Sequence, residues 1–385
     1  DAHMFAIRDF ILDRIVPIIL DDTTVITNNE NKISEPTTHK DELKPLLNLS
    51  MEEFYLKAKE KYFQIKTVCD KNFPGIWHSI EFQLAVLKIL NIKNCSLPFG
   101  SIILGAPSSS KTLGIELLRY YHGVYYTDSF SSKAFVSHNT NIAKDKLPEI
   151  DLLPKIKYKC LLAPELSPIF SKRDEDLLEI LGILTRVLDG HGYSSDSGAH
   201  GQRGYSGDYM FTMIGAAVDI PHKVHRYLSN LGSKLYFYRI PRSNKKEEDY
   251  IQLLSSDDFN EKKEELKKRI DDYLTWFDSN CPLQPDVNSG LVKIEFIKNE
   301  ESERLLQIVI RLGKLLAHLR GVVTTWNTDK TQGTNYGYST PRIEEPDRAM
   351  TQLLNLAKGH AISQGRNYLT TEDIPILIKV ALSTA

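Results

Sequence analysis

The chain has 385 residues, of which 41% are hydrophobic and 25% charged, a balance typical of a globular protein with a large buried core. Its net charge of −2 excludes a globally basic nucleic-acid-binding protein, so any contact with DNA must come from a local patch or from a patch repeated by symmetry. The first long apolar run, FILDRIVPIIL, is interrupted by Asp13, Arg14 and Pro17 and is too short to span a bilayer, so we expect no membrane segment.

The cysteines indicate a reducing compartment. They are scattered along the chain, without C-x-x-C spacing and without a cluster of histidines beside them. This pattern argues against a zinc site and against a disulfide framework. We therefore expect a cytoplasmic protein. The four cysteines are Cys69, Cys95, Cys160 and Cys281.

The first part of the chain predicts an N-terminal helical region and linker over residues 1–69, with the polar run TNNENKISEPTTHKDELK as the linker or loop. From Pro74 the pattern changes to a helix, HSIEFQLAVLKIL, followed by five short apolar strand candidates. Strands that alternate with helices predict an α/β fold over residues 70–242, with a mostly parallel sheet and helices on both faces. The strand candidates are SIIL, GVYYT, KCLLA, YMFTMIGAA and KLYFYRI.

Residues 243–300 predict a charged helical insertion. Acidic and basic residues alternate there, which favours a solvated helix with one packed face over a nucleic-acid-binding patch. Residues 301–385 predict several further helices, broken by the loop NTDKTQGTNYGYSTP. The apolar residues at helical spacing in the insertion are Leu266, Ile270, Tyr273, Leu274 and Phe277.

The segment SIILGAPSSSKTLGIELL resembles a phosphate-binding loop between a strand and a helix, with Ser110 at the second glycine of G-x-x-x-x-G-K-[ST]. In that geometry the backbone N–H groups of the loop would point at the β-phosphate. Lys111 would reach the β- and γ-phosphates, and Thr112 would hold Mg²⁺. The sequence therefore predicts binding of ATP and Mg²⁺ by Gly105, Ala106, Pro107, Ser108, Ser109, Ser110, Lys111, Thr112 and Leu113.

A hydrolytic site also needs a carboxylate near the phosphates. Glu165 follows the apolar run KCLLA, where it could activate the attacking water and contact Mg²⁺. The residue before it is Pro164, so a carboxylate expected to bind the metal is missing at that position. Glu165 is thus a candidate catalytic residue, with a solvated strand-terminal cap as the open alternative.

These motifs resemble the AAA+ core of the minichromosome-maintenance (MCM) replicative helicases and their bacterial relatives on mobile elements. The loop of that family reads G-D-P-G-x-A-K-S, so a small residue before the lysine, as in GAPSSSKT, is normal there. FPGIWHSIEFQLAVLKIL resembles the family's adenine-lining segment, which implies a role for Ile76, Trp77 and His78. GVYYTDSFSSKAF resembles its second strand and the following loop. The resemblance implies an AAA+ P-loop αβα sandwich.

Between Glu165 and the fourth strand, the segment around SGAHGQRG resembles the presensor hairpin that lines the helicase channel. In the family a basic residue at its tip touches the DNA backbone. The matching candidates here are His200 and Arg203. A plain glycine-rich turn is the alternative.

Two further segments resemble motifs around the γ-phosphate. GAAVDIP resembles the family's first sensor, with Asp219 in place of asparagine. Asp219 would hold the attacking water, replace the missing metal-binding aspartate, or only cap the loop. LGSKLYFYRIP resembles the segment that gives the arginine finger to the neighbouring subunit, with Lys234 at the matching position and Arg239 or Arg242 as alternatives.

The C-terminal segment STPRIEEPDRAMTQLLNLAKGHA resembles the helical lid of the family, residues 301–385. Counting back from LAKGHA places Arg348 at the second sensor arginine, with an ordinary surface arginine as the alternative.

Taken together, the resemblance implies an ATP-driven DNA translocase or helicase that works as a ring, with six subunits expected, in the replication of a plasmid, phage or other mobile element. Head-to-tail contacts close such rings, and six hairpins would let a chain of net charge −2 grip a phosphate backbone. Two alternatives stay open: a nucleotide-switched DNA-binding ring or scaffold with weak or no hydrolysis, and an AAA+ ATPase that remodels proteins.

Overall fold

The chain divides into two units, Asp1–Ser50 and Met51–Ala385. A computed structural model describes residues 49–137, 143–197, 201–232, 234–241, 247, 251, 258–321, 325–327 and 336–384. The predicted linker of the first unit lies outside the described residues, as do the hairpin candidate His200 and the finger alternative Arg242.

The second unit alternates helices and strands. The helices are α1 (Met51–Asn72), α2 (Trp77–Lys88), α3 (Lys111–Leu118), α4 (Ser132–Phe135), α5 (Leu152–Ile156), α6 (Ser167–Phe170), α7 (Asp174–Val187), α8 (His222–Leu231), α9 (Phe259–Asn280), α10 (Glu300–Leu319), α11 (Asp347–Ser363) and α12 (Ile374–Thr384). The strands are β1 (Phe99–Leu104), β2 (Val124–Tyr126), β3 (Cys160–Ala163), β4 (Gly192–Ser197), β5 (Gly201–Ser206), β6 (Thr212–Ala217), β7 (Leu235–Arg239), β8 (Thr325–Asn327) and β9 (Tyr336–Tyr338). Short 3-10 helices cover Ile89–Asn91, Lys144–Glu149 and Thr371–Asp373.

Five strands form a parallel sheet in the order β2-β3-β6-β1-β7. All five coincide with the predicted strand candidates, so the predicted parallel sheet is confirmed. Every residue of β1, β3 and β6 is buried, as expected for central strands covered on both faces. Because the strands are parallel, their carboxyl ends meet at one edge of the sheet and their amino ends at the other.

Helices cover both faces of the sheet, as the alternation along β7 shows. Leu235 and Phe237 belong to a buried cluster that includes the apolar residues of α7 and α8. On the opposite face, the Tyr238 ring stacks on Phe82 of α2, with ring centroids 4.4 Å apart. The architecture is therefore an α/β sandwich of three layers.

The predicted charged helix forms as α9, and its predicted apolar stripe is buried. Its partner is α1: the Phe54 ring packs against Phe277 at 5.0 Å and stacks on Trp276 at 5.3 Å. The Asn72 amide of α1 donates a hydrogen bond to Glu265 of α9. The buried stripe is Leu266, Ile270, Tyr273, Leu274 and Phe277.

The C-terminal helices pack on the sheet and on α2. The Thr384 hydroxyl of α12 accepts a hydrogen bond from the Phe237 amide at 2.8 Å, and the Ser383 hydroxyl accepts one from the Arg239 amide at 3.1 Å.

The segment NTDKTQGTNYGYSTP, predicted as a loop, is in part a strand. β8 and β9 form a two-stranded antiparallel ladder that pairs Thr325 with Tyr338. Each strand has only three residues, which is too short for a recognisable apolar alternation in the sequence.

No helix in the described part of the chain is both long and apolar enough to cross a membrane. The four cysteines are free thiols, of which Cys69 and Cys160 are buried.

Candidate nucleotide-binding site and cation cluster

The predicted phosphate-binding loop connects the carboxyl end of β1 to the first residue of α3. Gly105 is buried at the strand end, while Ala106, Pro107 and Ser108 are exposed. A Cβ atom at Gly105 would lie 2.6 Å from the Ser109 Oγ atom, so only glycine fits there without displacement. The loop therefore presents its backbone to solvent at the start of a helix, the arrangement that binds anions.

Two serines of the loop have a left-handed backbone. Ser108 and Ser110 both have a φ of 61°. Ser110 is the N-cap of α3, and its side chain makes no capping hydrogen bond. The amide groups of the first helical turn consequently keep the donor capacity that a cap would otherwise use. The left-handed backbone also explains why glycine is the usual residue at the position of Ser110.

Lys111 is buried and folds back onto the loop. Its Nζ atom donates hydrogen bonds to the carbonyl oxygens of Gly105 at 2.7 Å and Ala106 at 2.9 Å. Burial lowers the pKa of Lys111, and the nearby charge of Glu165 partly opposes that effect. The Ser109 Oγ atom is buried and has no hydrogen-bond partner among the described residues. Within the described residues, an ammonium bound to carbonyl oxygens and a buried hydroxyl without a partner are groups that an anionic ligand would bind.

The predicted adenine-lining segment lies beside this edge of the sheet. Tyr238, near the carboxyl end of β7, donates a hydrogen bond from its hydroxyl to the His78 carbonyl oxygen at 2.8 Å. Ile76 is the N-cap of α2. The His78 side chain is 71% exposed and contacts Glu81, whereas Trp77 is buried against Tyr62. His78 and the backbone of Ile76 are thus the accessible parts of the segment.

Glu165 lies just beyond the carboxyl end of β3. Its Oε1 atom accepts a hydrogen bond from the Ser167 amide at 2.9 Å, at the start of α6. The amide of Leu166 donates to the Ala216 carbonyl oxygen of β6 at 2.7 Å, which fixes this turn against the central sheet. Glu165 and Lys111 therefore share one edge of the sheet, while Pro164 is buried and offers no side-chain oxygen.

Asp219 lies past the carboxyl end of β6 and faces Arg239, the last residue of β7. Their side chains form a partly exposed ion pair at 3.8 Å. Ala217 and Arg239 both pair with Leu104, the last residue of β1, so this ion pair lies at the edge where the loop begins. The structure places Asp219 beside the loop with a cation already next to it.

Lys234 and Arg348 lie together, in a different place. The Lys234 Nζ atom is 2.6 Å from Asp189 Oδ1, and a nitrogen of the Arg348 guanidinium is 2.8 Å from the same oxygen. Asp189 follows the carboxyl end of α7, and Lys234 also donates to the Thr185 carbonyl oxygen at 2.9 Å. The predicted finger and the predicted second sensor are therefore neighbours in one cluster.

This cluster is at the amino edge of the sheet, opposite the loop. Lys234 precedes Leu235, which pairs with Gly100 near the start of β1. Gln352 of α11 donates a hydrogen bond to the Pro98 carbonyl oxygen, just before β1. Since β7 is five residues long, the two edges are separated by roughly 15 Å at 3.3 Å per residue. Lys234 and Arg348 thus do not face the loop of their own chain.

The predicted hairpin forms as β4 and β5, with Ser197 paired to Gly201 next to the tip. The tip itself, with His200, lies outside the described residues. Arg203 is half-buried and lines a cavity of about 360 Å³ at the base of the hairpin. The Tyr205 hydroxyl, on the same strand face, donates a hydrogen bond to the buried carboxylate of Asp151 at 2.7 Å, which anchors the hairpin to the body.

The sequence predicts no function for Asp189, which joins Lys234 and Arg348, or for Asp151, which anchors the hairpin through Tyr205. The pair Arg186 and Asp189, three residues apart at the end of α7, is a local signal of an ion pair. The contacts of Asp189 with Lys234 and Arg348 span 45 and 159 residues, and no local pattern predicts them.

No protein-family model matches the chain, and no curated protein matches it. Among solved structures, a candidate ATPase from Cytophaga hutchinsonii is similar at 13% identity and a TM-score of 0.42, over 86% of this chain and 88% of that one. A full-length MCM homologue from Methanopyrus kandleri is similar at 12% identity and a TM-score of 0.46, over 88% of this chain and 63% of that one. The C-terminal region of a protein named NrS-1 is similar at 11% identity and a TM-score of 0.25, over 70% of this chain and 55% of that one. At such values these are likenesses of general fold and carry no function to this chain.

Proposed function

We propose that the chain is a P-loop ATPase whose copies assemble into a ring and complete each other's nucleotide sites. One observation carries this proposal. Lys111 and Glu165 lie at one edge of the sheet, while the cations Lys234 and Arg348 lie at the other. Cations at the edge opposite the loop are available to the nucleotide of a neighbour in a head-to-tail ring, and this supports the proposal.

In the proposed site the loop from Gly105 to Thr112 holds the β- and γ-phosphates. Lys111 exchanges its two carbonyl partners for phosphate oxygens, which are stronger acceptors for an ammonium. Mg²⁺ supplies charge neutralisation when bound. The exposed Thr112 hydroxyl and the Glu165 carboxylate are oxygen ligands of the kind that Mg²⁺ takes, with phosphate and water completing its shell.

Glu165 is the proposed general base. In the described part of the chain the Ser167 amide binds Oε1, and Oε2 is available to accept a proton from the attacking water. Asp219, beside the loop, orients that water or a metal ligand while Arg239 balances its charge. The catalytic residues of one complete site are then Lys111, Glu165 and Asp219 from one subunit and Lys234 and Arg348 from the next.

The proposed substrate of the motor is DNA, which the β4–β5 hairpin contacts. The proposed process is the replication of a mobile element. In a ring, each subunit presents one hairpin, so a single arginine per chain becomes a ring of cations. The anchoring of Tyr205 on Asp151 supports a hairpin held in a fixed position. Single-stranded or forked DNA is the expected partner, and translocation the expected work.

Turnover measured against protein concentration, with and without single-stranded DNA, tests this function. We expect activity per subunit to rise with concentration and to rise further with DNA. Lys234→Ala should retain ATP binding and lose turnover. In an equal mixture of the Lys234→Ala and Lys111→Ala chains, about a quarter of the sites combine an intact loop with an intact Lys234 from the neighbour. We therefore expect roughly a quarter of the wild-type rate. Turnover independent of concentration, with no rescue in the mixture, would overturn the proposal.

A nucleotide-switched scaffold is a second candidate, favoured by one observation. Pro164 is buried where a metal-binding carboxylate is expected, so the site lacks one acidic group that would hold Mg²⁺ for hydrolysis. In that case ATP promotes assembly on DNA, measured by sedimentation, while a fully assembled ring shows no turnover. A protein remodeller, the third candidate, would unfold a tagged protein substrate in an ATP-dependent manner and show no response to DNA.

A further inference from the structure

The order of the strands divides the edge that carries the phosphate-binding loop into two sides. The loop follows β1, whose neighbours in the sheet are β6 and β7. Glu165 and Asp219 follow β3 and β6 on one side of the loop, while β7 and the start of α2 lie on the other side. A triphosphate whose terminal phosphate faces the two carboxylates therefore extends with its base toward β7 and α2.

His78 has an accessible side chain on the side where the base is expected. It lies in the first turn of α2, and its side chain is 71% exposed. Its carbonyl oxygen accepts the hydrogen bond from the Tyr238 hydroxyl, and Tyr238 pairs with Ile103, two residues before Gly105. The backbone of His78 is thus fixed beside the strand that leads into the loop, while the imidazole is open to a ligand.

Glu81 determines which nitrogen of the His78 imidazole carries hydrogen. His78 Nδ1 is 3.0 Å from Glu81 Oε2. The other carboxylate oxygen of Glu81 accepts from the Tyr62 hydroxyl at 3.0 Å and contacts His360 Nε2 at 3.3 Å. Although partial burial opposes ionisation, hydrogen bonds from His360, His78 and Tyr62 hold the pKa of Glu81 well below its ordinary value. An ionised carboxylate only accepts, so a neutral imidazole carries its hydrogen on Nδ1 and leaves Nε2 as an acceptor.

We propose that His78 is a specificity-determining residue whose Nε2 atom accepts a hydrogen bond from the 6-amino group of adenine, and that Glu81 is the positioning residue that keeps Nε2 an acceptor. The site then selects 6-aminopurine nucleotides over 6-oxopurine nucleotides such as GTP and ITP. A 6-oxo group would present a second acceptor to Nε2, and no hydrogen bond could form between them. This inference rests on the proposed function and adds to it the choice of the base.

Two other polar side chains on this side cannot make the same choice. Lys379 of α12 has its Nζ atom 4.5 Å from the centroid of the Tyr238 ring, and Arg239 is the last residue of β7. Ammonium and guanidinium groups only donate hydrogen bonds, so they would favour a 6-oxo group over a 6-amino group. The phosphates are the same in every purine triphosphate, so the loop does not distinguish the bases. His78, by contrast, offers the acceptor that adenine requires.

The first test is independent of assembly and hydrolysis. ATP and ITP compete with an ATP analogue that carries its fluorophore on the ribose, and ITP is the matched probe because its base differs from adenine only in its 6-oxo group and the hydrogen on N1. At pH 8.5, above the range in which exposed histidines usually titrate, the wild-type chain should prefer ATP about tenfold, the factor of one hydrogen bond. His78→Ala should reduce this ratio to about one, and His78→Lys should invert it, because an ammonium only donates.

His122→Ala is the matched control for the His78 variants. His122 is also an exposed histidine beside a carboxylate, 3.4 Å from Asp278, but it follows the end of α3 that is remote from the loop. It should keep the wild-type ratio of ATP to ITP affinity. Equal affinities of the wild-type chain for ATP and ITP, or a full ratio in His78→Ala, would overturn the inference. Thermal unfolding of each variant verifies the fold.

Glu81→Gln tests the positioning role. The glutamine amide can donate to Nδ1, which moves the hydrogen of a neutral imidazole to Nε2. The ratio of ATP to ITP affinity should therefore fall at least about threefold, while the affinity for tripolyphosphate, which has no base, should be unchanged. His360→Gln is the control, because it removes the contact of Glu81 with α11 and keeps that with His78. A full ratio in Glu81→Gln, or an equal loss in His360→Gln, would overturn the role of Glu81. If Glu81→Gln does not fold, the His78 variants still decide the inference.

The outcomes also separate this inference from the proposed function. ATP binding that is lost in Lys111→Ala, with a base preference that does not depend on His78, would reject the inference and leave the proposed function standing. If wild-type turnover ignores concentration, the proposed ring fails, and the competition between ATP and ITP still decides the role of His78. A wild-type chain that binds neither nucleotide would reject both.

Discussion

Lys111 donates a hydrogen bond to the Gly105 carbonyl oxygen at 2.7 Å, so the ends of the phosphate-binding loop are tied together by its own lysine. A bound triphosphate would take over this ammonium. Lys111→Ala should weaken ATP binding roughly 100-fold, since it removes charge-assisted hydrogen bonds of about 1.5–3 kcal/mol each. A fluorescent ATP analogue measures the affinity. Lys93→Ala, at a partly exposed lysine paired with Glu295, is the control and should bind like wild type. Equal affinities of the two variants would remove the loop from the nucleotide site.

Ser110 gives a second prediction about the loop, because it has a φ of 61° that costs a side-chain-bearing residue about 1 kcal/mol or more. Ser110→Gly should therefore raise the free energy of unfolding by up to about 1 kcal/mol while ATP affinity is retained. Chemical denaturation measures the change. Ser131→Gly is the control, since Ser131 has an extended backbone with a φ of −109° and glycine there should give no gain. A destabilised Ser110→Gly variant would show that the loop conformation depends on the serine side chain.

The parts of the site that follow one another in the chain could be predicted from the sequence. The loop and Glu165 each directly follow an apolar strand, and parallel strands bring such positions to one edge. The edge of Lys234 follows from its position directly before β7, but that of Arg348 could not be predicted, because it depends on how α11 packs at the amino ends of the strands. Asp189, which joins them, contacts residues 45 and 159 positions away.

Glu165→Gln should separate binding from hydrolysis. The glutamine still offers an oxygen to the Ser167 amide, so the turn after β3 is preserved, but it cannot take a proton from water. We expect turnover to fall roughly 100-fold or more at unchanged ATP affinity. Glu175→Gln, on the exposed start of α7, serves as the control with wild-type turnover. Full activity in Glu165→Gln would assign the base to another carboxylate, with Asp219 as the first candidate.

Apolar patterns predicted the sheet and the packed face of α9, since both are determined by local spacing. They did not predict that α9 packs on α1, where Asn72 and Glu265 meet across 193 positions of the chain. They also missed the β8–β9 ladder, because its three-residue strands are too short to show an apolar alternation. In each case the missing information is a long-range pairing that hydrophobic periodicity does not encode.

Arg203 carries the prediction about DNA. If the hairpin binds phosphates, Arg203→Ala should weaken binding of single-stranded DNA and reduce the salt dependence of the affinity, by about 0.7 in log–log slope for each phosphate that the variant no longer binds. Basal ATP turnover should stay unchanged, because the loop is elsewhere. His200→Ala should have a smaller effect near neutral pH, because histidine carries a full positive charge there less often than arginine does.

Arg226→Ala is the control for Arg203→Ala, as Arg226 is an exposed arginine on α8. Because Arg203 lines the cavity beside Asp151 and Tyr205, its removal could also loosen the hairpin. Tyr205→Phe, which removes the hydroxyl bound to Asp151 and no charge, distinguishes the two effects. A salt slope reduced in Arg203→Ala and unchanged in Tyr205→Phe supports a direct interaction with phosphate. Wild-type DNA binding and unwinding in Arg203→Ala would refute it.

The last prediction concerns pH and the packing of the C-terminal helices on α2. His360 of α11 is buried between Asp373, at 2.7 Å, and Glu81 of α2, at 3.3 Å. Burial disfavours the charged imidazole, but hydrogen bonds to Asp373 and Glu81 outweigh it and raise the pKa of His360 to about 9. The protonated histidine thus links α11 to α2, the helix that also contains His78, and His78 itself contacts Glu81 at 3.0 Å.

Because the pKa of His360 is higher in the folded chain than its ordinary value near 6.5, the charged histidine stabilises the fold fully below pH 6.5, and this stabilisation disappears as the pH rises through about 9. Integrated over that window, the contribution is about 3 kcal/mol. Urea unfolding between pH 6 and 9.5 should show a falling free energy of unfolding, and His360→Gln should be less stable at pH 6 with a flatter profile. His318→Gln, at an exposed histidine on α10, is the control and should keep the wild-type slope. If His360→Gln retains the full slope, another group titrates, and the link between α2 and α11 does not depend on a charged histidine.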